Sequence, residues 1–175
     1  MNLPNAISLG RLLAVPITVW LMLYGHWAWA LWLFVLAGVS DAIDGWLARK
    51  LDARTRLGHY LDPMADKTLL VAVFVVLAIK GAVPVWLVLL VVTRDLLIVG
   101  GGLLLYIVGQ PMTMDPLPIS KLNTVAQIVL AGAVLLELAY GVLPELALTG
   151  LTAAVVVTTL LSGAGYIRAL ARRSS

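Results

Sequence analysis

Nine acidic residues occur in the chain, and four of them, Asp41, Asp44, Asp62 and Asp66, stand beside or within otherwise apolar stretches. A carboxylate placed at membrane depth costs about 2.5–3.5 kcal/mol at a helix centre and less near a helix end. Four together also repel one another, so something positive must hold them, and one basic side chain does not suffice. Asp41 and Asp44 are three residues apart, which puts them on one face of a helix; Gly58, Asp62 and Asp66 are each four apart and stack along one face of the next. The two faces can meet across the intervening loop. Carboxylates converging at a wet helix end make an oxygen-ligand site for a hard divalent cation, Mg²⁺ or Mn²⁺. Four carboxylates could hold two such ions, and two ions suit phosphoryl chemistry.

Small residues accompany the acids. Gly45 and Ala48 lie about one turn apart near Asp41 and Asp44. Missing side-chain bulk there lets a ligand or a second helix approach. Arg49 follows directly and suits pairing with phosphate oxygens. Taken singly, an Asp at a helix end is a cap, and a Gly or Ala in a membrane helix is packing. The whole set at these gaps fits neither explanation.

The elements that must position these residues follow from composition. Of 175 residues, 62% are hydrophobic and 12% charged, against about half and a quarter in a soluble domain. Lipid is therefore the expected solvent, and a span takes about 20 apolar residues. Apolar runs broken by Gly, Pro and charge predict six helices, over 5–24, 27–48, 58–79, 84–108, 121–138 and 148–167. The expected fold is all-α: an integral membrane protein of six transmembrane helices, one domain over 1–175. The start, Met1-Asn2-Leu3-Pro4, has no basic leader and reads as a retained first span. With no cysteine, disulfides and thiolate metal sites are excluded.

Orientation follows from the cations. Arg49, Lys50, Arg54 and Arg56 fall in the expected second loop, Lys121 opens the fifth span, and Arg168, Arg172 and Arg173 lie in the tail. The positive-inside rule makes that side cytoplasmic, with both termini and the acidic cluster on it. Trp27, Trp29, Trp32 and Trp86 fall near the opposite interface, where amphipathic rings are favoured.

The set Asp41-x2-Asp44-Gly45-x2-Ala48-Arg49-x8-Gly58-x3-Asp62-x3-Asp66 resembles, without departure, the signature of the CDP-alcohol phosphotransferase family. The opening Leu3-Pro4-Asn5-Ala6-Ile7-Ser8-x2-Arg11 is similar to the start of its phosphatidylglycerophosphate and cardiolipin synthase branch. The resemblance implies a transferase that moves a phosphatidyl group from CDP-diacylglycerol to an alcohol and releases CMP. It implies that Asp41, Asp44, Asp62 and Asp66 ligate two divalent ions, that Asp66 also takes the acceptor hydroxyl proton, and that Asp41, Asp44, Gly45, Ala48, Arg49, Gly58 and Asp62 form the CDP site. It further implies a bacterial inner-membrane location, a homodimer and no nucleic-acid partner.

The acceptor contacts expected are Arg94, Asp95, Lys121, Arg11 and Asn5. Arg94 and Asp95 stand within an apolar run, where charged residues are functional candidates. As neighbours they point differently and are not expected to pair face to face. His59 is expected in the loop. The segments Thr93-Arg94-Asp95 and Pro118-x-Ser120-Lys121-Leu122-Asn123-Thr124 resemble CMP-forming cardiolipin synthases. Phosphatidylglycerophosphate synthases tend to carry a further Arg two turns beyond Arg94, where this chain has Gly102. Phosphatidylglycerol is therefore the favoured acceptor, with glycerol 3-phosphate the alternative. Two other classes remain: a divalent-cation transporter, since intramembrane carboxylates also mark ion paths, and a non-catalytic scaffold. Transporter sites lie nearer the midplane on interrupted helices, which argues against the first.

Overall fold

The computed structural model describes residues 3–51, 56–107 and 118–171, with side chains described over 13–40, 67–98, 100 and 118–168. Among the described residues every regular element is helical: α1 (Leu3–Leu23), α2 (Trp27–Leu51), α3 (Arg56–Ile79), α4 (Val85–Ile107), α5 (Pro118–Tyr140) and α6 (Glu145–Ala171). All six expected helices are present. Several ends differ from expectation by two to four residues; around the expected second loop, α2 runs through Arg49 and Lys50 and α3 begins at Arg56, so His59 is helical and not in a loop. The charges read there as loop signals are compatible with helix because Arg and Lys are good helix formers.

The helix ends have local causes. Gly25 adopts φ 79° after α1, donating to the Met22 carbonyl, while His26 donates to Leu21 at 2.8 Å. The same pair of bonds closes α3: Gly81 at φ 73° donates to Ala78, and Ala82 to Leu77. These are Schellman caps, which need a left-handed residue that glycine alone adopts without cost. At the end of α5, Gly141 donates to the Glu137 carbonyl, and the Glu137 carboxylate accepts from Leu143 N–H at 2.6 Å. Pro84 and Pro144 immediately precede α4 and α6, and Pro118 opens α5, where a missing N–H costs nothing. Glu145 in the first turn of α6 and Arg168 in its last complement the helix dipole.

The chain packs as two units, 1–82 with 131–143, and 83–130 with 144–175. In the first, α1 packs on α2 and α3. Met22, Phe34, Val73, Phe74 and Leu77 are buried there, with the Phe34 ring beside Gly132. Lys80 Nζ donates to the Leu23 carbonyl at 2.7 Å, tying the end of α3 to the end of α1. In the second unit α4 packs on α6, with Leu87, Val91, Leu130 and Val155 buried.

Large apolar side chains cover the outside: Leu146 is 81% and Trp29 70% exposed, with Trp32, Trp86, Leu89 and Leu160 also exposed. Scattered apolar exposure is ordinary in a soluble protein, but this density is not. Among the described residues, Pro118–Tyr140 and Glu145–Arg168 are long and apolar enough to cross a membrane. Leu13–Leu23, Trp27–Ser40 and Lys67–Ile79 are shorter apolar stretches of α1, α2 and α3.

Candidate active site

The eight signature residues fall on two helices. Asp41, Asp44, Gly45, Ala48 and Arg49 lie in the C-terminal half of α2, and Gly58, Asp62 and Asp66 in the N-terminal half of α3. Helical backbone at both places is what the three- and four-residue spacings require for each pair to recur on one face. The side chains of these eight, and those of Asn5 and Arg11, lie outside the described residues. Among the described residues no three His, Cys, Asp or Glu side chains gather as a metal site. The donor set proposed from sequence is all carboxylate, the ligand type that suits Mg²⁺ or Mn²⁺.

In the second unit, the described polar side chains are organised around Arg94. Its side chain is 4% exposed. Nε and Nη2 both donate to Ser162 Oγ on α6, Nη2 also donates to Ser120 Oγ on α5 at 2.6 Å, and Nη1 donates to Asp95 Oδ1 at 2.6 Å. One guanidinium thereby joins three helices. Its planar fork of five N–H groups makes this possible, and a lysine ammonium could not reproduce it. The expectation that Arg94 and Asp95 do not pair is corrected: they form a direct ion pair with both side chains buried. Flexion of two extended side chains overcomes the angular offset of adjacent positions, and desolvation makes an uncompensated charge far worse than a bent rotamer.

Lys121 is exposed in the first turn of α5, beside Ser120. Further along α5, Asn123 Oδ1 accepts from Thr159 Oγ1 at 2.9 Å and lies 2.8 Å from Thr158 Oγ1, both on α6. Asn123 and Gln127 are 0% and 1% exposed, and the amide nitrogens Nδ2 and Nε2 have no hydrogen-bond partner. Of the expected acceptor contacts, the structure brings together Arg94 and Asp95. Ser162 bonds to Arg94, Thr158 and Thr159 bond to Asn123, and Gln127 is buried on α5; no sequence motif had singled out these four. The available signal was polar residues at helical spacing inside the apolar run of α6, at 158, 159 and 162.

A family model described as CDP-alcohol phosphatidyltransferase matches residues 1–161. The chain is 36% identical to the chloroplastic CDP-diacylglycerol–glycerol-3-phosphate 3-phosphatidyltransferase 1 of rice, over 95% of this chain and 56% of that protein. It is 33% identical to a cardiolipin synthase (CMP-forming)/mitochondrial hydrolase fusion protein of Schizosaccharomyces pombe, over 94% of this chain and 30% of that protein. It is 34% identical to the CDP-diacylglycerol–glycerol-3-phosphate 3-phosphatidyltransferase of Bacillus subtilis, over 78% of this chain and 77% of that protein. The chain thus spans little more than half of the rice relative and about a third of the yeast one.

Proposed function

Since the chain belongs to the CDP-alcohol phosphatidyltransferase family, a family of transferase enzymes, we propose that it transfers phosphatidyl from CDP-diacylglycerol to a hydroxyl of phosphatidylglycerol. The new P–O bond joins the acceptor oxygen to the phosphatidyl phosphorus, the P–O bond to CMP breaks, and the acceptor proton passes to Asp66. The observation that carries this reading is the complete carboxylate signature on two consecutive helices. Asp41, Asp44, Asp62 and Asp66 would hold two divalent ions, Mg²⁺ or Mn²⁺. Those ions would supply charge neutralisation at the donor diphosphate and the departing CMP. Asp66, as the base, frees the attacking oxygen. Gly45, Ala48 and Gly58 leave room for the nucleotide, and Arg49 pairs with its phosphate. Asn5, Arg11 and Lys121 contribute polar and cationic contacts to phosphate groups, and Arg94 with Asp95 holds the acceptor side.

Two features favour a lipid acceptor over a dianionic one. Arg94 is already compensated by Asp95, and the position two turns further on is Gly102 instead of a second cation. The second reading, glycerol 3-phosphate as acceptor, is favoured by the activities in the names of the rice and Bacillus relatives. We place the chain in a bacterial inner membrane as six spans with cytoplasmic termini, as a homodimer. The exposed apolar helix surfaces support the membrane setting.

Purified protein supplied with CDP-diacylglycerol, Mg²⁺ or Mn²⁺, and one acceptor at a time tests the proposal. CMP release driven by phosphatidylglycerol supports it. Release driven by glycerol 3-phosphate alone transfers the case to the second reading, and release with neither overturns both.

A further inference from the structure

Lys80 stands apart from the signature residues. It follows the last residue of α3 and is exposed, at the end of that helix away from Gly58, Asp62 and Asp66. Its Nζ donates to the Leu23 carbonyl at 2.7 Å, so the ammonium sits at the turn that joins α1 to α2. Capping a helix-end carbonyl uses one of its three N–H groups and none of its charge. Among the described residues no carboxylate lies within ion-pair distance of it. With both termini cytoplasmic, Lys80 falls on the translocated side, where Lys and Arg are scarce. Topology therefore supplies no reason for a cation here.

The same turn gathers unspent donors and amphipathic rings. Trp27 Nε1 lies 4.0 Å from where a Cβ on Gly25 would stand, and among the described residues it has no hydrogen-bond partner. The Trp20 ring is 5.1 Å from that of Tyr24 and 6.1 Å from that of His26, and all three side chains are exposed. The level of the turn is set by its neighbours. The apolar stretches Leu13–Leu23, Trp27–Ser40 and Lys67–Ile79 all stop or start at it, and the Lys80–Leu23 bond holds two of those ends together. The polar–apolar boundary of this unit therefore passes through the turn. Just on its apolar side, Leu23 is 43% and Ile79 68% exposed. A free anion in water would meet only the donors. A phospholipid would set its phosphate on them and its chains on the exposed apolar side chains below.

Resting on the membrane setting of this chain, but not on which alcohol it uses, we propose that Lys80, Trp27 and the rings of Trp20, Tyr24 and His26 form a surface site for the phosphodiester of an anionic phospholipid, in the leaflet opposite the signature residues. Because the ammonium is uncompensated, a lipid of net negative charge binds better than a zwitterionic one, whose own cation competes for the phosphate.

Phosphatidylmethanol is the probe, since it is an anionic phosphodiester without a free hydroxyl and cannot serve as an acceptor. Detergent-purified wild type, Lys80→Gln, Lys80→Arg and Trp27→Phe are titrated with phosphatidylmethanol and with phosphatidylcholine of the same chains, and bound lipid is counted by native mass spectrometry. Wild type should prefer phosphatidylmethanol by about fivefold. Lys80→Gln should abolish that preference and Lys80→Arg should keep it. Trp27→Phe retains a ring but loses the indole N–H, and should weaken phosphatidylmethanol binding severalfold. Excess inorganic phosphate should displace no lipid; displacement would mean a site for a free anion and would overturn the lipid assignment. Lys80→Gln also cuts a tie between α1 and α3, so its Tm is read alongside; should it fail to fold, Trp27→Phe decides alone. No preference in wild type, or phosphatidylmethanol binding unchanged in every variant that folds, overturns the site. CMP release is measured separately, and its absence would sink the functional reading while leaving this site standing.

Discussion

Replacing Arg94 by Met removes the group that ties α4 to α5 and α6. The side chain is 4% exposed and donates to Ser162, Ser120 and Asp95. Breaking a buried ion pair by deleting one partner costs about 3–5 kcal/mol, because the remaining charge stays desolvated. For a chain of this length each kcal/mol corresponds to roughly 2–4 °C in Tm, so the fall should be about 6–20 °C. Purified protein in detergent, unfolded thermally and followed by tryptophan fluorescence, reads the effect. Arg94→Lys keeps the charge but loses the planar fork, and should fall between wild type and Arg94→Met. The discriminating variant is Arg94→Met with Asp95→Asn. Removing both charges relieves the desolvation that the single change exposes, so the double variant should recover at least half of the lost stability. A single variant within 2 °C of wild type, or a double variant less stable than the single, refutes the view of Arg94 as a charge-compensated tie.

Asp62→Asn should lower CMP release by at least about a thousandfold, consistent with loss of metal-assisted charge stabilisation, while the protein still inserts and purifies; retained turnover defeats the assigned role. Lys121→Gln should raise KM for an anionic acceptor severalfold and leave Tm within about 1 °C, since the side chain is exposed. Thr159→Val removes a buried donor to Asn123 and should cost about 1 kcal/mol in stability. Gly81→Ala forces a Cβ into φ 73° at the α3 cap, with open space around it; a loss of about 1 kcal/mol, without change in KM, isolates the backbone cost.

Helix number, and the position of every helix to within a few residues, were legible because apolar runs alternate with Gly, Pro and charge. Those signals act locally. Gly25, Gly81 and Gly141 end helices through their own backbone, and Pro84, Pro118 and Pro144 start them through a missing N–H. The carboxylate signature was equally legible, because fixed gaps of three and four residues need only a helix to acquire geometric meaning. The second unit's polar cluster was not. Arg94 and Asp95 were visible as costly charges, but the serine partners of Arg94 are 26 and 68 residues away at Ser120 and Ser162. Nothing in local spacing names them. Which polar group in an apolar helix is satisfied by a neighbour, and which, like Gln127, is left with an open donor, depends on how three helices are rotated against one another. That rotation is set by the packing of apolar faces over the whole helix length, a sum of many weak contacts that no short motif encodes.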